Sequence, residues 1–283
     1  MVCGMEQERK EEVWEEQIRI FKQSLEEKNR SRNTIRSYLY APRQFYRLYS
    51  EVTGLNLQQY KLYLIEHYNP RTVNVRICGM NSFLRCIGWA EDLIRQVKLF
   101  GQRYSEQVIS DGDYEYLKVR LLADKQYFYY FLIRFMAATG ARCSEVVQFT
   151  VEDVKTGYKN IYSKGDKVHR IYIPKLLQKD ALKWLRQSGR QSGDIFVTHG
   201  GNRISASGIR KRMKKLARDY QLSEKVMHPH SFRHRFAKSF IERCSDIALL
   251  SNLLGHESLE TTRIYLRRSS SEQKAIINGV VDW

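Results

Sequence analysis

Residues 253–266 read Leu-Leu-Gly-His-Glu-Ser-Leu-Glu-Thr-Thr-Arg-Ile-Tyr-Leu, setting a histidine, His256, nine positions ahead of a tyrosine, Tyr265. Leu253 and Leu254 close an apolar run that begins at Ile247, a helix pattern with Asp246 in the N-cap position. Gly255 suits the position just past a helix end, where a positive φ costs glycine little. Ser258 is a good N-cap for a further short helix, and Tyr265 falls about two turns into it. The spacing therefore predicts His256 in a tight corner and Tyr265 on the helix beyond it, both able to face one concave site. A tyrosine on a short helix is by itself ordinary packing. The basic partners elsewhere in the chain change its weight.

Working back from that stretch, His228-Pro-His-Ser-Phe-Arg-His-Arg-Phe236 opens a helix at Pro229 and sets His230 and Arg233, three apart, on one face. His230 and His234 are four apart, a spacing that also suits zinc. Arg233 on the same turn opposes a cation, the carboxylate base expected between such histidines is missing, and no cysteine lies near, so no metal is expected. A helix predicted from Ser207 to Tyr220 carries Ile209, Met213, Leu216 and Tyr220 on its apolar stripe. Its other face holds Arg210, Lys211, Arg212, Lys214, Lys215 and Arg218, the densest basic stripe of the chain, expected to lie along phosphates. Ile195 to Val197 reads as a short strand or extended link, and Leu177 to Gln187 as a helix. Asn160 to Ile173 has β-branched and aromatic residues on both sides of a Gly-Asp centre, a hairpin signal that puts Lys164 at the turn. In Thr139-Gly-Ala-Arg-Cys-Ser-Glu-Val-Val147, Gly140 breaks one helix and Ser144 to Val147 belong to the next. Arg142 sits at that junction, aimed into a cleft or, in the plainer reading, tying the helices together through Glu145. The strongly apolar Gln126 to Ala138 reads as a helix buried on most sides.

The N-terminal part reads as a small helical domain. Trp14, Ile18, Phe21 and Leu25 recur at the helical period. Asn33 or Thr34 is the expected cap of a second helix, with Pro42 kinking it; a third runs from about Leu57 to His67, and Pro70 opens a fourth. Arg36, Arg43, Arg71 and Arg76, among other bases on these helices, are individually what a solvated face shows. Together with interleaved tyrosines they are compatible with a phosphate-contacting surface. Residues from about Ile94 to Gln107 lack strong periodicity and read as the connection to a second domain, which opens at Ser110-Asp-Gly-Asp.

The 283 residues are enough for one large domain or two ordinary ones. The balance of 48 Lys+Arg against 31 Asp+Glu, a net charge of +17, favours a polyanionic partner, nucleic acid ahead of an anionic membrane. No apolar run reaches spanning length and no signal-peptide core follows the N-terminus. Five scattered cysteines argue against a disulfide framework and for a cytoplasmic setting, and only four prolines point to a mainly helical chain.

Arg142, Lys164, His230, Arg233, His256 and Tyr265 together make a strongly cationic site with a phenol nucleophile. That set suits attack of the tyrosine hydroxyl on a phosphodiester. Paired arginines clamp the non-bridging oxygens, histidines assist by hydrogen bonding and proton transfer, and Lys164 protonates the departing 5′ oxygen. The phosphotyrosyl bond keeps the energy for rejoining, so no cofactor is needed.

The order Arg, Lys, His-x-x-Arg, His, Tyr, within TGARCSE, SKGDK, HSFRH and LLGHESLETTRIY, resembles the tyrosine recombinases, the phage-type integrases with their Xer-like members. The resemblance is close from about residue 108 to 266. It is looser over NTIRSYL and RTVNVRI, which are similar to that family's core-binding domain. It implies a mainly α fold with a small β-hairpin or sheet, in two domains. These are an N-terminal helical core-binding domain over 1–100 and an α+β catalytic domain over 110–283, joined by a linker at 101–109. It further implies a C-shaped clamp on double-stranded DNA, four protomers in a synapse, and strand exchange in two steps through a Holliday junction. Encoding by a bacterium, phage or mobile element is expected, with accessory or directionality factors compatible and no membrane role. The tail from Arg267 to Trp283 is expected to dock on a neighbouring protomer, and no additional arm-binding domain is expected before the first helix. Lys164 matches the family's lysine better than Lys167 does. Two other readings share parts of this pattern: a type IB topoisomerase-like nicking-closing enzyme, and a non-catalytic DNA-binding accessory protein on the same fold.

Overall fold

A computed structural model describes residues 2–89, 93–98, 108–163, 167–256, 258–266 and 277–279. The chain separates into two compact units, Met1–Tyr104 and Ser105–Trp283. The first is built from helices α1 (Val2–Glu27), α2 (Arg32–Leu48), α3 (Gly54–His67) and α4 (Pro70–Cys86). Ser31, Thr53 and Asn69 cap the last three by accepting the N–H groups of Thr34, Asn56 and Thr72. The cap of α2 is thus Ser31, not Asn33 or Thr34, which lie within the first turn. Phe21, Phe45, Leu64, Ile77, Met80 and Phe83 are among the side chains that fill the interior.

Helix α2 runs through Pro42. The proline ring lacks the N–H that the Tyr38 carbonyl would otherwise receive. At that turn α4 comes close: a Cβ on Gly79 would stand 3.0 Å from the Tyr38 carbonyl oxygen. Nearby, the buried Gln44 amide donates to the Tyr68 hydroxyl and accepts from Tyr60, so its polar atoms are matched inside the bundle. The extended stretch after α4 is strapped down as well. Asn81 makes paired hydrogen bonds with the backbone of Ile94, and Asn74 does the same for Val97. The region read as a connection from Ile94 onward therefore begins as part of the first unit.

The second unit contains α5 (Asp111–Ala123), α6 (Tyr127–Thr139), α7 (Cys143–Val146) and α8 (Val151–Thr156), then strands β1 (Tyr158–Ser163) and β2 (Lys167–Tyr172). It continues with α9 (Lys175–Gln187), α10 (Ala206–Asp219), α11 (Pro229–Arg243), α12 (Ile247–Leu254), α13 (Leu259–Arg263) and a 3-10 turn, Ile264–Leu266. The strands form a two-stranded antiparallel sheet, with Ile161 opposite His169. Ile195 to Val197 makes no strand; isolated bridges join Thr150 to Asp194 and Val197 to Arg203. Helix α6 is buried on most sides, as its composition demands, through Phe131, Leu132, Ile133, Phe135 and Met136. Ile109 is buried in this unit's core, and its N–H donates to the Ser231 hydroxyl of α11 at 2.7 Å. A smaller apolar cluster, Ala237, Leu250, Leu254 and Tyr265 with Phe236, Phe240, Ile241 and Ile264, binds α11, α12 and the 3-10 turn together. The fold is thus mainly helical with one small sheet, and Tyr265 lies in the 3-10 turn just after α13 rather than within the helix.

Candidate active site

Two of the helices that meet at this corner end in glycines of left-handed conformation, Gly140 after α6 (φ +64) and Gly255 after α12 (φ +60). The carbonyls exposed by such ends have no intrahelical partner. Arg233, on the first turns of α11, takes two of them: one Nη1–H donates to the Gly140 oxygen at 2.8 Å and one Nη2–H to the Leu254 oxygen at 2.7 Å. Arg142, the N-cap of α7, donates from Nη2 to the Gly255 oxygen at 3.0 Å. The Arg142 backbone N–H and Nη1 both donate to the buried Glu145 carboxylate, at 2.7 and 2.8 Å. The plainer reading of Arg142, a tie to Glu145, is therefore present alongside its approach to the corner.

His256 sits between these groups. Its Nε2 is 2.9 Å from Nη2 of Arg233, and its Nδ1 is 2.7 Å from Oγ1 of Thr262. Its ring lies parallel to that of Tyr265, with centres 6.2 Å apart. The Tyr265 ring also meets His234 edge-on at 4.9 Å, and His234 meets His230 in the same manner at 4.5 Å. Tyr265 is 9% exposed, Arg233 2% and Thr262 fully buried. Beside them a cleft of about 300 Å³ is lined by residues that include Arg142, Arg210, His228, His230 and Arg233. His228 serves the backbone there, its Nδ1 accepting the Ser231 N–H as the cap of α11.

The electrostatics follow from this crowding. Burial, and then the charge of Arg142, pull Arg233 below the ordinary guanidinium range, while Tyr265 and Glu145 act in the opposite sense. Burial, then Arg233 and Arg142, press His256 from its ordinary 6.5 to about 4. Burial and the neighbouring His230 do the same to His234. His230 is shifted downward by protein atoms around its inner side and by Arg233, although its outer edge is open to solvent. At neutral pH the imidazoles are uncharged and the cationic character rests on the arginines. Among the described residues no carboxylate pairs directly with Arg233, and no group of three histidine, cysteine or acidic side chains could hold a metal.

Of the residues singled out from sequence, Arg142, His230, Arg233, His256 and Tyr265 come together in this corner. Lys164 lies outside the described residues, as does the side chain of Lys167. Arg36, Arg43 and Arg71 are exposed on α2 and α4, and Arg210, Lys211, Lys214 and Lys215 on α10. Arg76 is different: its guanidinium lies 3.4 Å from the Tyr40 ring centre and 5.2 Å from that of Tyr68, held by its own unit. Arg212 likewise leaves the basic stripe and stacks over Tyr129 at 4.6 Å.

Sequence reasoning does not single out Thr262 or His169, and it raises His234 only as a rejected metal ligand. His169 packs so tightly on the corner that a Cβ on Gly255 would stand 2.6 Å from its ring, and both ring nitrogens are enclosed without a hydrogen-bond partner. Its alternation with Ile171 on the inner face of β2 is the one sign the sequence offers of it.

The model of the phage integrase family matches residues 117–272. The tyrosine recombinase XerC of Chromohalobacter salexigens is 31% identical over 140 residues, covering 48% of this chain and 47% of that one. Tyrosine recombinase XerD of Halalkalibacterium halodurans is 29% identical over 153 residues, covering 51% of each. The chain spans about half the length of the curated relatives it matches. Among solved structures, the Tn1549 transposon integrase in complex with transposon right end DNA is similar with a TM-score of 0.73 at 14% identity, covering 93% of this chain and 99% of that one. XerH site-specific recombinase bound to difH substrate is similar with a TM-score of 0.67 at 17% identity, covering 90% and 81%. At those identities the likeness is one of fold.

Proposed function

We propose that this chain, which belongs to the phage integrase family, is a site-specific DNA recombinase that cuts and rejoins strands through Tyr265. The observation that carries this reading is the convergence of two guanidiniums on the turn at Gly255 and His256, whose imidazole lies parallel to the ring of the buried Tyr265. The phenol oxygen attacks the phosphorus of a DNA phosphodiester, the bond to the 5′ oxygen breaks, and the strand stays attached through its 3′ phosphate. The phenol proton passes to a neutral histidine of the corner, and the 5′ oxygen takes one up, for which Lys164 is the proposed source. Arg142 and Arg233 bind the non-bridging oxygens, where negative charge grows in the transition state, and His230 and His256 take the remaining hydrogen-bonding roles. Reversal with a 5′ hydroxyl from a second duplex exchanges strands without a nucleotide cofactor.

Within this reading the exposed bases of α10, with Arg36, Arg43 and Arg71, contact phosphates of double-stranded DNA. Four copies exchange strands in two steps through a Holliday junction, on behalf of a bacterial, phage or mobile-element genome in the cytoplasm. The similarity of the fold to a transposon integrase and to XerH, both in complexes with their DNA, supports the choice of DNA as partner.

The test is trapping on a nicked substrate from which the short 5′ fragment diffuses away. The expected result is a covalent adduct with the native chain and none with Tyr265→Phe, with DNA binding nearly unchanged. An adduct that persists in the phenylalanine variant would remove Tyr265 as the nucleophile. A two-site exchange assay then separates recombination from simple nicking and closing.

A further inference from the structure

We infer that Thr262 is a positioning residue for His256, its hydroxyl gripping the Nδ1 edge of the imidazole so that Nε2 faces Arg233. The inference rests on the reading of this corner as a strand-cleaving site and assigns a further residue to it.

The argument begins with hydrogens. A guanidinium has donors only. The 2.9 Å contact between Arg233 Nη2 and His256 Nε2 therefore requires Nε2 to accept. A neutral imidazole with an accepting Nε2 carries its proton on Nδ1, and the atom within reach of Nδ1 is the Thr262 hydroxyl oxygen, at 2.7 Å. Both edges of the ring are thus specified. Turning the ring over would set carbon atoms where nitrogens now make hydrogen bonds. The hydroxyl is fully buried, so water does not compete for the imidazole N–H.

The same bond links chain segments. Thr262 lies on α13, and Tyr265 follows three residues later in the adjoining 3-10 turn. The backbone N–H of His256 donates to the Ser251 carbonyl of α12. A hydrogen bond from His256 to Thr262 therefore ties the end of α12 to the segment that carries the phenol. Arg233, held on its other N–H groups by Gly140 and Leu254, receives its third contact from the same ring. Orientation passes from Thr262 to His256 and from His256 to the guanidinium that would meet the phosphate. Neither Thr262 nor its hydroxyl lines the cleft, which makes this an indirect role.

Two measurements test it. The first needs no substrate: ¹⁵N shifts of the His256 imidazole in the native chain, assigned by comparison with His256→Asn. A protonated Nδ1 and an unprotonated Nε2 are expected, and the opposite tautomer would overturn the inference even if no strand cleavage were ever observed. The second is single-turnover cleavage. Thr262→Val is expected to slow adduct formation about tenfold, the scale of one lost hydrogen bond at the reacting centre, with DNA affinity unchanged. Thr262→Ser should restore most of the rate. In a His256→Ala background Thr262→Val should change the rate less than twofold, because its effect passes through the imidazole. The same tenfold loss in both backgrounds, or no loss in either, would overturn the assignment. An inactive native chain with the expected tautomer would instead count against the cleavage reading while leaving the grip of Thr262 intact.

Discussion

Arg142 and Arg233 bring the same group to the same corner from different surroundings, and their variants should differ for that reason. The Arg142 side chain is 43% exposed, and its loss leaves Glu145 with the backbone N–H that already caps it. Arg233 is buried and satisfies two carbonyls and one imidazole nitrogen. Truncating it strands three acceptors away from water, and unsatisfied buried groups each cost about 1–3 kcal/mol. Arg142→Ala is expected to lower stability by about 1 kcal/mol and Arg233→Ala by at least about 2 kcal/mol, while each slows cleavage on the order of a hundredfold. Urea unfolding beside single-turnover cleavage reads both. An Arg233→Ala chain as stable as the native one would mean that water fills those acceptors and the side chain serves the phosphate alone.

The turn after α12 carries an element-scale constraint of a similar kind. Gly255 adopts φ +60, and a Cβ there would meet the His169 ring of β2 at 2.6 Å. A side chain in left-handed conformation costs roughly 1–2 kcal/mol and overpacking a further ~1–3 kcal/mol. Gly255→Ala should therefore destabilise the second unit and also displace the carbonyl that receives Arg142, with cleavage falling more than stability alone predicts. Melting temperature and adduct yield, measured together, check it; an alanine variant with native values of both would mean that the hairpin yields freely. This corner also marks how far the sequence can be read. Asp246, Gly255 and Ser258 announce the ends of α12 and α13, because caps and left-handed turns are local chemistry. Three of the four chemical boxes, TGARCSE, HSFRH and LLGHESLETTRIY, draw attention to Arg142, His230, Arg233, His256 and Tyr265 in the same local way. The contacts that hold those residues are not announced. Nothing local says that Thr262 turns toward His256, or that a histidine three residues from the end of β2 will seal against a glycine more than eighty positions later. Arg76 and Arg212 fail as simple surface bases for a related reason: tyrosines from elsewhere in the fold cover them.

At the scale of the whole molecule, the depressed imidazoles couple folding to pH. His234 and His256 move from an ordinary 6.5 to about 4 on folding. Between those values the unfolded chain holds more protons than the folded one, so stability rises with pH across that window. Their contribution is complete above about pH 6.5, declines as pH falls, and levels off below about pH 4. Denaturant midpoints measured from about pH 7.5 to about pH 4 should show that decline, and His234→Asn should remove part of it. An identical profile in the variant would assign the acid sensitivity to carboxylates elsewhere.

The two glycine-ended helices at the Arg233 corner, α6 and α12, have one more consequence. They hold the Arg233 guanidinium by carbonyl dipoles, and dipoles orient a cation without cancelling its charge. The folded chain therefore keeps a vacancy in its charge balance that the unfolded chain, with its arginines dispersed in water, does not have. Any small tetrahedral anion that fits the cleft becomes a stabiliser by mass action, contributing about 2.7 kcal/mol at a hundred times its dissociation constant. Sulfate should raise the melting temperature more than chloride at matched ionic strength, and Arg233→Met should respond to the two salts alike. Such a preference would make the chain a thermometer for phosphate mimics, readable before any strand of DNA is offered.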